Sequence, residues 1–297
     1  MSTPEGTSPP TAAPLGQVLD DADDLRGHHF KLLLGKPLTW VLIGLVVLAG
    51  GIAGGLLLSA PIGGALAAVL LLAGLGVAFV VADSRAADAF FASYAADRGY
   101  ELGGRAGLPP VTPLLRKGED RYAVRTLSGP IAADVEGILA LFTYEEETRD
   151  SKGNKQTHYY RYTVGLVPVP ECAAHLPELY CQRKFGLRAL EGVEDVFRTK
   201  KERLKLESEA LDQRYEIFAA KSQDAIWLRR FFSPTFIVWL TESAPEKFAF
   251  ELVDGNLCCY VNGHKEKAVE LDILAASTAA VARRLREEAG ETSERAG

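Results

Sequence analysis

The sequence predicts an α+β domain of two β-hairpins plus helices, closed by a C-terminal amphipathic helix and attached to a two-helix transmembrane hairpin. Three observations predict this. No charged residue lies between Lys36 and Asp83 in a chain of 297 residues. Beyond Asp83, strand-like and helix-like patterns segregate instead of alternating, which favours α+β over a doubly wound sheet. The ends of the chain are polar and poor in groups that a core could bury.

Taken in order, residues 1–26 are rich in Pro, Thr, Ser, Ala and Asp and read as a disordered tail. Residues 38–82 hold two apolar runs, LTWVLIGLVVLAGGIAGGLLLSA and IGGALAAVLLLAGLGVAFVVA. Each has the length that crosses a hydrocarbon core of about 30 Å. Pro61 separates them, because proline restricts the residue before it and donates no amide to a continuing helix. Arg26, Lys31 and Lys36 precede the first run and Arg85, Arg98 and Arg105 follow the second. The positive-inside rule then places both termini in the cytoplasm of a bacterial cell, at the inner membrane, with the turn at Ser59 outside. Gly50, Gly51, Gly54 and Gly55 form two overlapping GxxxG pairs, spacing that lets helices approach closely in lipid. Their plain use is packing against the second helix; the alternative is self-association of chains as a homo-oligomer.

Residues 84–290 read as the cytoplasmic domain. A helix is expected from Ser84 to about Tyr100, ended by Gly99. Val135–Thr148 and His158–Val169 are rich in β-branched and aromatic residues around the turn formers Gly153 and Asn154, and predict a hairpin. Ala189–Thr199 reads as a helix, Leu204–Glu207 and Arg214–Ala219 as strands. Ser222 and Ser233 are candidate caps of two short helices, the second with Pro234 at its first position. Phe248–Val253 and Leu257–Val261 predict a second hairpin about Asp254-Gly255-Asn256. An Ala-rich amphipathic helix follows from Lys267 to Glu288, and residues 291–297 read as a short disordered tail.

Composition narrows the function. A net charge of −6 argues against a nucleic-acid partner. Cys172, Cys181, Cys258 and Cys259 are sparse and irregular, so neither a disulfide framework nor a metal site is expected, and no His pairs with them at zinc spacing. No P-loop, dinucleotide fingerprint or nucleophile elbow occurs, so neither a catalytic residue nor a cofactor is assigned. Glu145, Glu146 and Glu147 read as a solvated hairpin tip. The basic run Arg198, Lys200, Lys201, Arg203 and Lys205 reads as a solvated helix end, with attraction to an anionic leaflet as the alternative.

One stretch, Leu204 to Leu240, resembles a signature of a family of uncharacterised bacterial membrane proteins, a domain of unknown function. The matching residues are Leu206-Glu207-Ser208, Leu211, Arg214-Tyr215, Asp224-Ala225 and Phe232-Ser233-Pro234. The order of parts over residues 38–262 is also similar; Leu211 stands where relatives commonly carry Phe. The resemblance implies no activity. Physically the same residues read as structural, with Glu207 expected to accept from Arg214 or from the amides of the turn after it. The function expected is therefore a membrane-anchored cytoplasmic binding or scaffolding module, non-catalytic, with membrane lipid and an unidentified protein as partners. An enzyme at the inner membrane face, its site assembled from residues distant in sequence, is the alternative. A small pore of the Gly-rich helices is a third, disfavoured because no ionisable group lies inside them.

Overall fold

A computed structural model describes residues 37–57, 60–149, 153–184, 201–221 and 223–296. The chain divides into two compact units, Met1–Ser93 and Tyr94–Gly297.

In the first unit, helix α1 spans Pro37–Leu57 and helix α2 begins at Ala60 and runs to Arg98. Pro61 sits in the first turn of α2, where its missing N–H has no intrahelical partner to lose. The two helices pack antiparallel. A Cβ at Gly51 would come within 3.2 Å of Ala67 Cβ, one at Gly74 within 3.3 Å of Ile43, and one at Gly50 would collide with Leu70 Cδ1. Gly50 and Gly51 therefore lie where α1 meets α2, whereas the side-chain surroundings of Gly54 and Gly55 lie outside the described residues.

The expectation of a two-helix transmembrane hairpin needs correction. Among the described residues one helix, Gly63–Arg98, is long and apolar enough to cross a membrane; in the other the apolar stretch is shorter, Ile43–Ala53. The helix expected separately from Ser84 is not separate either, since α2 is continuous to Arg98. Asp83, Ser84 and Arg85 end the apolar pattern, yet charged residues do not end a helix. Gly99, at φ +73°, does. The expected tail 1–26, the turn at Ser59, the helix 189–199 and the residues Arg26, Lys31, Lys36, Arg198 and Lys200 lie outside the described residues.

The second unit overturns the two-hairpin architecture. Its strands are β1 Glu101–Gly103, β2 Asp120–Ala132, β3 Val135–Arg149, β4 Lys155–Pro168, β5 Glu178–Arg183, β6 Lys201–Leu204, β7 Tyr215–Ala220, β8 Ala249–Val253 and β9 Asn256–Asn262. All join one antiparallel sheet in the order β1-β2-β3-β4-β9-β8-β5-β7-β6. Both predicted hairpins are present, β3–β4 and β8–β9, but as neighbours in that sheet. The β8–β9 turn takes the positive φ values that a two-residue hairpin needs, 47° at Asp254 and 73° at Gly255.

Strand pleating gives the sheet two faces. One is sealed by the C-terminal helix α7, which spans Ala268–Ala296. Leu271, Leu274, Thr278, Ala282, Leu285 and Ala289 recur at helical spacing and are all buried. This helix packs on β2, β3, β4 and β9. The short helices α3 Pro113–Arg116, α4 Glu209–Arg214, α5 Ala225–Phe231 and α6 Pro234–Val238 complete the unit. Of these, α5 also packs on α7. There Glu288, almost wholly buried, takes Arg230 Nε at 2.6 Å and Arg284 at 3.1 Å, while Arg284 also donates to the carbonyls of Arg230 and Phe231. These are the orphan carbonyls at the C-terminal end of α5, so Arg284 caps that helix from outside. At the start of α7, Arg98 grips Asp272 with two bonds of 2.6 Å, and Tyr94 Oη donates to the same carboxylate at 2.8 Å.

Candidate functional site

The face of the sheet opposite α7 carries an aromatic layer with one carboxylate. The register puts Tyr144 opposite Tyr160 and Phe142 opposite Tyr162, then Val164 opposite Tyr260, and Glu251 opposite both Cys258 and Tyr180. Tyr144 stacks on Tyr160 at 4.8 Å and on Tyr162 at 5.9 Å. Residues 104–118 cross this face as a strap. It is pinned at Ala106 by a two-bond bridge to Ala123, and it buries Leu114 and Leu115 completely against the layer. Glu251, fully buried on β8, accepts from the Leu114 amide at 3.0 Å, so it holds the start of α3 down on the sheet.

The electrostatics of this layer are those of a packed core. Burial pushes the phenols of Tyr162, Tyr180 and Tyr260 up, and the nearby charge of Glu251 adds to each. Burial likewise pushes the Cys172 thiol up to about 12 and raises Cys181, Cys258 and Cys259. Thiols held protonated are poor nucleophiles and poor metal ligands. They are also separated by role: Cys172 Sγ donates to the Leu285 carbonyl at 3.3 Å, while Cys258 and Cys259 lie on opposite faces of β9. Among the described residues no group of His, Cys, Asp and Glu is arranged to hold a metal.

His264 lies on the α7 side, where Nε2 is 3.2 Å from the Phe142 carbonyl and 3.1 Å from Thr143 Oγ1. A carbonyl only accepts, so Nε2 carries the proton. Burial lowers the pKa of His264, against an upward pull from the bond to Phe142. The folded state therefore binds fewer protons than the unfolded chain as pH falls through the ordinary histidine value of about 6.5. Stability contributed by neutral His264 is complete above that value and declines below it, until the lowered folded-state pKa is reached. Thermal unfolding followed from pH 7.5 to pH 5.5, a range bracketing that value of about 6.5, is expected to show a fall in Tm that is shallower in His264→Gln. Equal slopes would place the proton uptake elsewhere.

The sequence-predicted residues are brought together only in part. Ser208 caps α4, accepting from the Leu211 amide at 3.3 Å, an interaction worth about 1 kcal/mol. Tyr215 is buried and donates to the Leu240 carbonyl at 3.3 Å. Ser233 caps α6, with Pro234 at its first position as expected, and accepts from Phe236 at 3.4 Å. Leu206 is half-buried and Arg214 exposed. Glu207 is exposed, and the bond expected from Arg214 or the following amides is not formed: Ser208 takes the amide that Glu207 was expected to reach. Asp224 caps α5 through the Ile226 amide at 2.8 Å, a role expected of Ser222, which lies outside the described residues. These residues form turns and caps around β7, with no convergent site among them.

Sequence reasoning missed the arm of the sheet. β9 ends at Asn262 opposite Tyr162, and Gly263, at φ +80°, turns the chain away. β2 begins at Asp120 opposite Glu145. Beyond those points β3 and β4 continue as a two-stranded ribbon to Arg149 and Lys155, joined by a Lys155–Glu147 ion pair of 2.6 Å and a His158–Thr148 contact of 3.1 Å. Tyr159 on this arm is 54% exposed. The signal available in the sequence was the length of the two strands, which exceeds that of any neighbour. Comparison of the chain with protein-family models, curated proteins and solved structures finds no match.

Proposed function

We propose that this chain is a membrane-anchored binding module whose sheet unit lies on the cytoplasmic side of the membrane. The observation that carries the reading is the apolar stretch of α2: almost none of it is buried within the protein, and Val69, Leu72, Val77 and Val80 are all more than 60% exposed. A surface of that kind is stable when lipid covers it. Arg85, Arg98 and Arg105 follow that stretch, and basic flanks favour the cytoplasmic side. Binding is favoured over catalysis because Glu251 and His264 hold the sheet unit together and the four thiols are buried.

Orientation supplies the test. The native cysteines are buried, so a cysteine placed at the exposed Gln156 is the reactive one. A membrane-impermeant maleimide is expected to label Gln156→Cys in inverted vesicles and to leave it unlabelled in intact spheroplasts. Labelling from outside intact cells would overturn the cytoplasmic placement.

A further inference from the structure

The outer edge of β4 between Lys155 and Arg161 has backbone groups aimed away from β3, its one neighbour strand there among the described residues. Glu145 accepts from the Glu119 amide at 2.9 Å, so its carbonyl points away from β4. Its register partner Tyr159 therefore points its own N–H and C=O away from β3, since residues facing each other in an antiparallel ladder share one orientation. Arg161 has the same sense, and its carbonyl accepts from Gly263 at 2.8 Å. Thr157, two residues before Tyr159, has it too. Past Gly263 no strand among the described residues lies beside this row, which extends for about 20 Å at the usual rise of a strand.

Open edges in folded proteins are commonly blunted by proline, a bulge, a central lysine or very short length. β1 and β6, the outer strands of the sheet, are short. The β4 edge has no proline and no bulge in its register with β3. Lys155 stands at its tip, engaged with Glu147. One side of the row presents Lys155, Thr157, Tyr159 and Arg161, so cations stand at both ends of a hydroxyl and an exposed aromatic ring. Arg161 is exposed and makes no ion pair among the described residues. The other open edge of the arm, on β3, carries Glu146 and Glu147 and has the opposite character.

We infer that the β4 edge accepts an extended segment of a partner protein as an added strand, and that the segment carries carboxylates opposite Lys155 and Arg161. Main-chain bonds to Thr157 and Tyr159 supply the attachment, and selection for acidic ends comes chiefly from Arg161, with Lys155 shared with Glu147 at the other end. The inference deepens the binding reading, but it uses only strands of the sheet unit. Loss of peptide binding and loss of membrane attachment are therefore separate failures.

The test uses the full chain in lipid nanodiscs. The probe is a short peptide of alternating valine and threonine with glutamate at each end, and the control is the same peptide ending in lysine. Hydrogen exchange is expected to slow at Thr157 and Tyr159 with the glutamate peptide, and binding of the lysine peptide to be roughly tenfold weaker. Tyr159→Pro removes an N–H that points away from β3, so the β3–β4 ladder survives while peptide protection is lost. Arg161→Glu, which leaves the backbone unchanged, is expected to move the preference toward the lysine peptide. Equal binding of both peptides overturns the inference, and so does full binding by a folded Tyr159→Pro. Protection of the same amides that rises with protein concentration alone would assign the edge to a second copy and overturn it as well.

Discussion

Gly165→Val is expected to unfold the sheet unit or to cost it about 3 kcal/mol, at the upper end of what overpacking does. Gly165 lies on β4 directly under α7. A Cβ there would collide with the Thr278 hydroxyl and sit 3.1 Å from its Cγ2 and 3.2 Å from its Cβ. Neither side yields easily. Thr278 is fully buried and its hydroxyl donates to the Leu274 carbonyl at 2.8 Å, while Gly165 is held between Leu139 and Cys259 of the flanking strands. The helix must therefore lift, and with it the seal over β2, β3, β4 and β9. The milder Gly165→Ala is expected to be partly rescued by Thr278→Ala, which removes the two closest atoms. Urea unfolding of the four proteins forms a double-mutant cycle, in which a coupling near zero would show that α7 does not close on β4 in this way.

The second large effect concerns the membrane. Val69→Asp together with Leu72→Asp places two carboxylates on the uncovered side of α2, where the native side chains are 61% and 69% exposed. Each charge near the centre of a spanning helix costs about 2.5–3.5 kcal/mol on the insertion scale, so the pair costs about 5–7 kcal/mol. The double variant is expected to leave the membrane fraction, whereas the same substitutions in an exposed helix of a soluble protein would be close to neutral. Retention of the double variant in the membrane would mean that α2 does not lie in lipid.

Local elements were legible where one signal dominated. The β3–β4 and β8–β9 hairpins followed from alternating β-branched and aromatic residues around glycine turns, and the Ser233–Pro234 start of α6 followed from cap chemistry. β2 was not legible, because Gly129 and Pro130 interrupt its alternation and are poor strand formers. Asp224 was overlooked as a cap because it was read as the first residue of the helix itself, with Ser222 before it. The end of the second apolar run was legible as a change in polarity, but that change marks where the apolar stretch stops and not where α2 stops. The joining of both hairpins into one sheet rests on long-range pairing, such as Val164 with Tyr260, which no local pattern encodes. The same holds for Glu251: as a single acidic residue in the strand AFELV it gives no sign of the Leu114 amide that comes to it from far along the chain. The arm was half visible, since strand length was readable while the point where β9 leaves β4 was not.

The central claim is that the uncovered apolar stretch of α2 sits in a bilayer and carries the sheet unit with it. Alkaline carbonate extraction of membranes holding the full chain tests it most directly, because that wash strips proteins held by charge or by a partner and leaves those held by lipid. The chain is expected to stay in the pellet and to be released only by detergent. Recovery of the chain in the carbonate supernatant, still folded, would contradict the claim.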